Sequence, residues 1–252
     1  MCAIFGTPWA SRALPIFTPS LIRERINEAV ENKFWGICVW HPYPAAHKLN
    51  LAAWANFAKD PEKSVSTFLK EWCLSEGFEN PERIADCYSL LEEASRIMYV
   101  EIGFADCMCL RSLFISVFSR IKNKKELDWV DQLYILSLPS KIDQLENELE
   151  KVKTAIAIAG ECRENSLLCG ANMIKAYMNI IINTYKAYYI YGRESDLDTY
   201  KGYWTDGAKE IGNCFSKIKE SFAELEQAWP EFARQNSIPE ASLPLRKILS
   251  EL

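Results

Sequence analysis

The chain has very little histidine, two residues in 252. Its nine cysteines include no CxxC pair, and Cys107-x-Cys109 has the wrong spacing for one helix face. Together these argue against a Cys/His zinc site, and no metal or other cofactor is expected. An excess of basic residues is missing too. The formal net charge is -5, so neither nucleic acid nor an anionic membrane is implied as a partner. No run of ~18 apolar residues occurs, which argues against a transmembrane helix. The opening MCAIFGTPWASRALPIF has no basic segment ahead of an apolar one, and Arg12 interrupts it. It does not read as a secretion signal, and a cytoplasmic protein is expected. Fixed-period repeats and low-complexity tracts are also lacking.

What remains is ordinary globular material. Hydrophobic residues make up 49% and charged residues 25%, enough to bury a sizeable core. The cysteine count is odd, and most cysteines sit inside apolar helical patterns. They read as buried free thiols of a reducing compartment.

Residues 2–5 are a short apolar run, followed by a loop with Pro8, Trp9 and Arg12. Thr18 and Pro19 form a helix-start signal, and Leu21, Ile22, Ile26, Ala29 and Val30 recur at helical spacing. Asn32 and Lys33 end that helix. Residues 34–40 form a second run that is apolar on both faces, as expected of a covered parallel strand. A strand, a crossover helix and a parallel strand make one βαβ unit. Beyond Trp40 only helices are read. The signals are Asp60-Pro61 at a start with Gly77 at the stop, and Asn80-Pro81 opening a pattern that runs to about residue 120. An apolar segment over 127–138 is interrupted by Pro139. Ser140 is a candidate cap for a stripe of Ile142, Leu145, Leu149, Val152, Ile156 and Ala159. Residues 167–191 form a tyrosine-rich apolar helix ended by Gly192, and 209–234 form another long helix.

The segment Pro19-Ser20-Leu21-Ile22 through Gly36-Ile37-Cys38-Val39-Trp40 resembles the last βαβ unit of a carbohydrate-cleaving (β/α)8 barrel. Asn50-Leu51-Ala52-Ala53-Trp54-Ala55, Asp60-Pro61-Glu62 and Phe68-Leu69-Lys70-Glu71-Trp72 resemble the stretch after that unit in family 67 α-glucuronidases and, more loosely, family 20 hexosaminidases. The resemblance covers residues 2–75. It implies a mainly α chain, with the end of a TIM-type barrel in residues 1–58 and a helical bundle in 59–252. It also implies a C-terminal fragment of a glycoside hydrolase-like protein. The paired carboxylates that such enzymes use would lie upstream. Neither strand end here, Gly6-Thr7-Pro8-Trp9 or Trp40-His41-Pro42-Tyr43, offers an Asp or Glu.

Under that reading the partner is a carbohydrate. Trp40, His41 and Tyr43 shape a sugar subsite just past a strand end, where barrels bind ligands. Trp9 completes the aromatic wall, and Arg12 meets a carboxylate such as that of a uronic acid. The plainer alternatives are a core Trp40, a Tyr43 packed on loop prolines, an ordinary loop Trp9 and a solvated Arg12. His47 reads as a surface or N-cap residue, and no catalytic residue is assigned. Glu92, Glu93, Glu146, Glu148 and Glu150 read as solvated faces paired with lysines such as Lys151 and Lys153. Asp196, Asp198 and Asp206 read as caps rather than calcium ligands. Tyr177, Tyr185, Tyr188, Tyr189 and Tyr191 line either a groove or a packed helix face. The alternative function is a self-standing helical interaction or scaffold protein whose N-terminal strands pair with a partner or a second copy. If the division at residue 58 is real, removal of 1–45 leaves a folded helical domain.

Overall fold

The computed structural model describes residues 2–6, 15–40, 47–101, 107–196 and 204–237. Among these residues the order is β1 (Cys2–Gly6), α1 (Pro19–Glu31), β2 (Gly36–Trp40), α2 (Lys48–Lys59), α3 (Val65–Ser75), α4 (Pro81–Glu101), α5 (Cys107–Lys122), α6 (Trp129–Glu161), α7 (Asn165–Asp196) and α8 (Trp204–Gln235). The chain is mainly α, as the helical spacing predicts.

β1 and β2 pair in parallel, Cys2 opposite Gly36 and Gly6 opposite Trp40, with α1 as the crossover. Among the described residues no third strand joins them. A barrel needs a sheet that closes on itself, and here two strands are followed by helices alone. The expectation of a glycoside hydrolase barrel end is therefore overturned.

The residues that suggested it serve the helical packing instead. Asn50 is buried. Its amide donates to the Ile16 carbonyl at 2.8 Å, and its Oδ1 accepts from the Thr18 amide at 3.0 Å. Ala53 and Phe57, one and two turns further on, are buried with Phe68, Leu69 and Cys73 of α3. Small and apolar residues at three- and four-residue spacing are what any packed helix pair requires, whatever its family.

Thr18 stands at the N-cap of α1, as its neighbour Pro19 predicts, but its side chain makes no capping bond. The carboxylate of Glu92, on α4, accepts from the Ser20 amide, and the Ser95 hydroxyl accepts from the Phe17 amide at 3.2 Å. Long-range partners thus take the place of a local cap. Asp60 does not open α3. It ends α2, and Ser64 is the cap of α3, accepting from the Thr67 amide at 3.0 Å. Gly77 does mark the stop after α3, at a φ of 78° that favours glycine.

α7 lies at the centre and packs chiefly on α8 and α6. Buried residues run round nearly all of it, from Ala171, Ile174 and Tyr177 to Tyr185, Tyr188 and Tyr191, the signature of a helix enclosed by others. The tyrosine stripe is therefore mostly a packed face. α8 meets α7 with Ile211, Cys214, Ile218, Phe222, Leu225, Trp229 and Phe232. α6 runs unbroken from Trp129 to Glu161 with Pro139 inside it, so the break expected there and the cap at Ser140 do not occur. Gly192 is likewise not an end. A Cβ at that position would stand 2.6 Å from Ile135 Cδ1, so glycine lets α7 approach α6. One buried cluster joins Ile16, Phe17, Ile22 and Ile26 to the residues of α2, α3, α4 and α6–α8. Among the described residues, no helix is long and apolar enough to cross a membrane.

Candidate functional site

The residues singled out for sugar binding lie mostly outside the described chain. Trp9, Arg12, His41 and Tyr43 all do, as does Asp198. Trp40 closes β2 opposite Gly6. His47 occupies the N-cap position of α2 and is buried rather than on the surface. Glu93, Glu146, Glu148 and Glu150 are paired with lysines as expected, through Lys151, Lys186, Lys151 and Lys153 respectively. Glu92 and Glu148 depart from the solvated faces expected: both are buried, Glu92 against α1.

The most unusual surface belongs to the first two turns of α6. Asp128 caps the helix by accepting from the Asp131 amide at 2.9 Å, and the Asp131 carboxylate accepts from the Asp128 amide at 3.3 Å, a reciprocal capping box. Asp131 faces inward. It takes an ion pair from Arg120 of α5 and a 2.9 Å hydrogen bond from the Tyr188 hydroxyl of α7. Burial, followed by the hydrogen bond to the Asp131 carboxylate, pushes the Tyr188 phenol upward, so it remains a donor. Tyr191 fastens the preceding turn by donating to the Lys125 carbonyl at 2.6 Å.

These anchors fix the rotation of the helix. Ile135, Leu138 and Ile142 lie on the side of Asp131 and are buried. Residues two and five positions from Asp131 must then point outward. Trp129 is 71% exposed, Val130 54%, Leu133 58% and Leu136 74%. Scattered single apolar residues on a surface are normal, but these four adjoin one another on one helix. A groove of about 390 Å³ adjoins them, lined by Leu127, Ile135, Leu136, Tyr189 and Gly192 with Gln132 and Arg193 at its edge. The spacing of Trp129, Leu133 and Leu136 was visible in the sequence. What was not visible is that Asp131, the charged residue among them, turns inward.

No group of His, Cys, Asp and Glu that could hold a metal ion occurs among the described residues. The thiols of Cys73, Cys87, Cys162, Cys169 and Cys214 are free. Burial pushes Cys73 and Cys87 up to about 12, and raises Cys169 and Cys214 as well. Such thiols are held in the unreactive protonated form. Comparison with known proteins gives no matching family model, no matching curated protein and no matching solved structure.

Proposed function

We propose that this chain is a helical interaction protein whose docking face is the start of α6, with a second copy of the chain as the occupant. The observation that carries the reading is the exposed stripe of Trp129, Val130, Leu133 and Leu136 on a helix already anchored on its other side. A helix apolar on both sides is one that expects cover. The stripe is self-complementary. Two such helices laid antiparallel across a two-fold axis set Leu133 against Leu133, and Trp129 against Leu136 at the lip of the partner's groove. Each residue then meets an apolar one, as a two-fold interface requires. The free thiols fit the reducing compartment expected from the cysteine pattern. Among the described residues the outer edges of β1 and β2 are unpaired, and they offer a second contact of the kind expected from the sequence, with exposed Trp35 beside them.

Sedimentation velocity over a concentration series tests this. The wild-type chain should show a dimer whose population rises with concentration. Burying one leucine stabilises by about 1.5–3 kcal/mol, so the Leu133→Lys/Leu136→Lys variant should associate at least about 100-fold more weakly. Its circular dichroism spectrum should be unchanged, because both side chains are exposed. A wild-type chain that stays monomeric throughout, or a variant that dimerises as well as wild type, removes the reading.

A further inference from the structure

We propose that the cavity walled by Phe17, Trp72, Phe78 and Tyr88 is a binding site for a small organic cation bearing a methylated ammonium group. The cavity has a volume of about 170 Å³ and lies where six parts of the fold converge. These are the segment leading into α1, the start of α2, the end of α3 with Phe78 just beyond it, α4, the start of α7 and the end of α8.

Three observations carry it. The first is the aromatic wall. Tyr88 stands edge-to-face with Phe17 at 5.1 Å and with Trp72 at 5.3 Å, and Trp72 is tilted against Phe78 at 6.0 Å. Rings locked to one another in this way form a rigid aromatic wall, a surface that attracts cations and gives little to an anion.

The second is charge. Glu76 and Glu164 both line the cavity, with Lys48 as the cationic lining residue. Lys48 is paired with Glu76, and Glu164 has no ion pair among the described residues. The lining therefore carries a surplus negative charge at Glu164.

The third is an unused hydroxyl. Tyr88 is only 8% exposed, and its hydroxyl, in a residue that lines the cavity, has no hydrogen-bond partner among the described residues. Burial comes first in pushing the Tyr88 phenol upward, and the nearby Glu164 and Glu76 carboxylates add to it. The hydroxyl stays neutral there, able to meet the polar end of a ligand such as an alcohol.

These features select within the cations. A bare ammonium gives up strong hydration on entering an aromatic pocket and would need several acceptors in return. An alkylated ammonium is weakly hydrated, and its methyl groups lie against ring faces. The inference is independent of self-association through α6, since none of the cavity residues lies on that stripe.

The test is ligand-observed saturation-transfer NMR and calorimetric titration of the full chain with choline. Its neutral carbon isostere, 3,3-dimethylbutan-1-ol, serves as the control. Choline should bind and the isostere should bind at least about tenfold more weakly, since only the charge differs. Glu164→Gln should weaken choline about tenfold with an unchanged thermal melt, and Trp72→Phe, which keeps a ring, should weaken it less than Trp72→Leu. A peptide carrying trimethyllysine, titrated in parallel, tells whether the ammonium arrives on a free small molecule or on a polypeptide; tighter binding of either keeps the cation class. Binding of neither ligand, or equal binding of choline and its neutral isostere, overturns the proposal.

Discussion

Glu92 shows how far a single residue can depart from its local setting. It stands beside Glu93 on a charged helix, and adjacent acids read as solvated. Its partner, the Ser20 amide, is 72 residues away and comes to it only through tertiary packing. Burial raises the Glu92 pKa, with the Ser20 amide and hydroxyl opposing the shift. A carboxyl raised in the fold holds its proton more tightly there than in the unfolded chain. Its stabilising effect is full below the ordinary value of 4.5 and is lost as pH rises through the raised value. Lowering the pH from neutral towards that ordinary value should therefore raise the Tm of wild type relative to Glu92→Gln, which keeps an oxygen to accept from Ser20. A Tm difference that stays constant with pH would refute the assignment. The thiols give a second prediction. With Cys73 and Cys87 pushed up to about 12, alkylation of the native protein at neutral pH should leave both unmodified, and labelling in urea should modify both. Peptide mass spectrometry separates them from the other cysteines.

At the scale of elements, helix faces were legible wherever the apolar spacing was regular. The stripe from Ile142 to Ala159 and the long helix ending near residue 235 came directly from it. Punctuation was less reliable. Pro139 lacks an amide hydrogen, which leaves the Ile135 carbonyl without its usual helical partner, yet packing against α7 and α4 carries α6 through. Proline and glycine signals describe the isolated chain, and tertiary contact outweighs them here. Pro139→Ala restores the missing donor and should raise stability by about 1–3 kcal/mol, less the entropy the proline removes from the unfolded state. A lower Tm would show that α6 depends on the proline's shape. Gly192 was misread for the same reason, because a glycine needed for close approach looks in sequence like one needed for a stop. Gly192→Ala drives a methyl into Ile135 and should cost about 1–3 kcal/mol by chemical denaturation. No loss would mean that α6 and α7 can part freely.

For the whole molecule, the predominance of helix was legible, but the cut at residue 58 divides residues that share one core cluster. Removing 1–45 takes away Ile16, Phe17, Ile22 and Ile26, strips Asn50 and Glu92 of their partners and takes from Ser95 the Phe17 amide it accepts from. Each large buried residue lost costs about 2–5 kcal/mol, against a total stability of about 5–15 kcal/mol for a typical domain. The truncated chain should show no cooperative thermal transition; a sharp one would support the division. The barrel resemblance failed at this scale as well, since short motifs such as Asn50-x-x-Ala53 record helix packing without specifying what the helices pack around. The enclosure of α7 has a consequence in time. A nascent chain is made in order, and this helix is apolar on nearly every side when it leaves the ribosome. α6 can cover one side at once, but α8 is still unmade. At ~5–20 residues per second, the roughly 40 residues to the end of α8 leave that flank bare for about 2–8 s. That interval, rather than the finished fold, is when the protein is most exposed to aggregation and most in need of a chaperone.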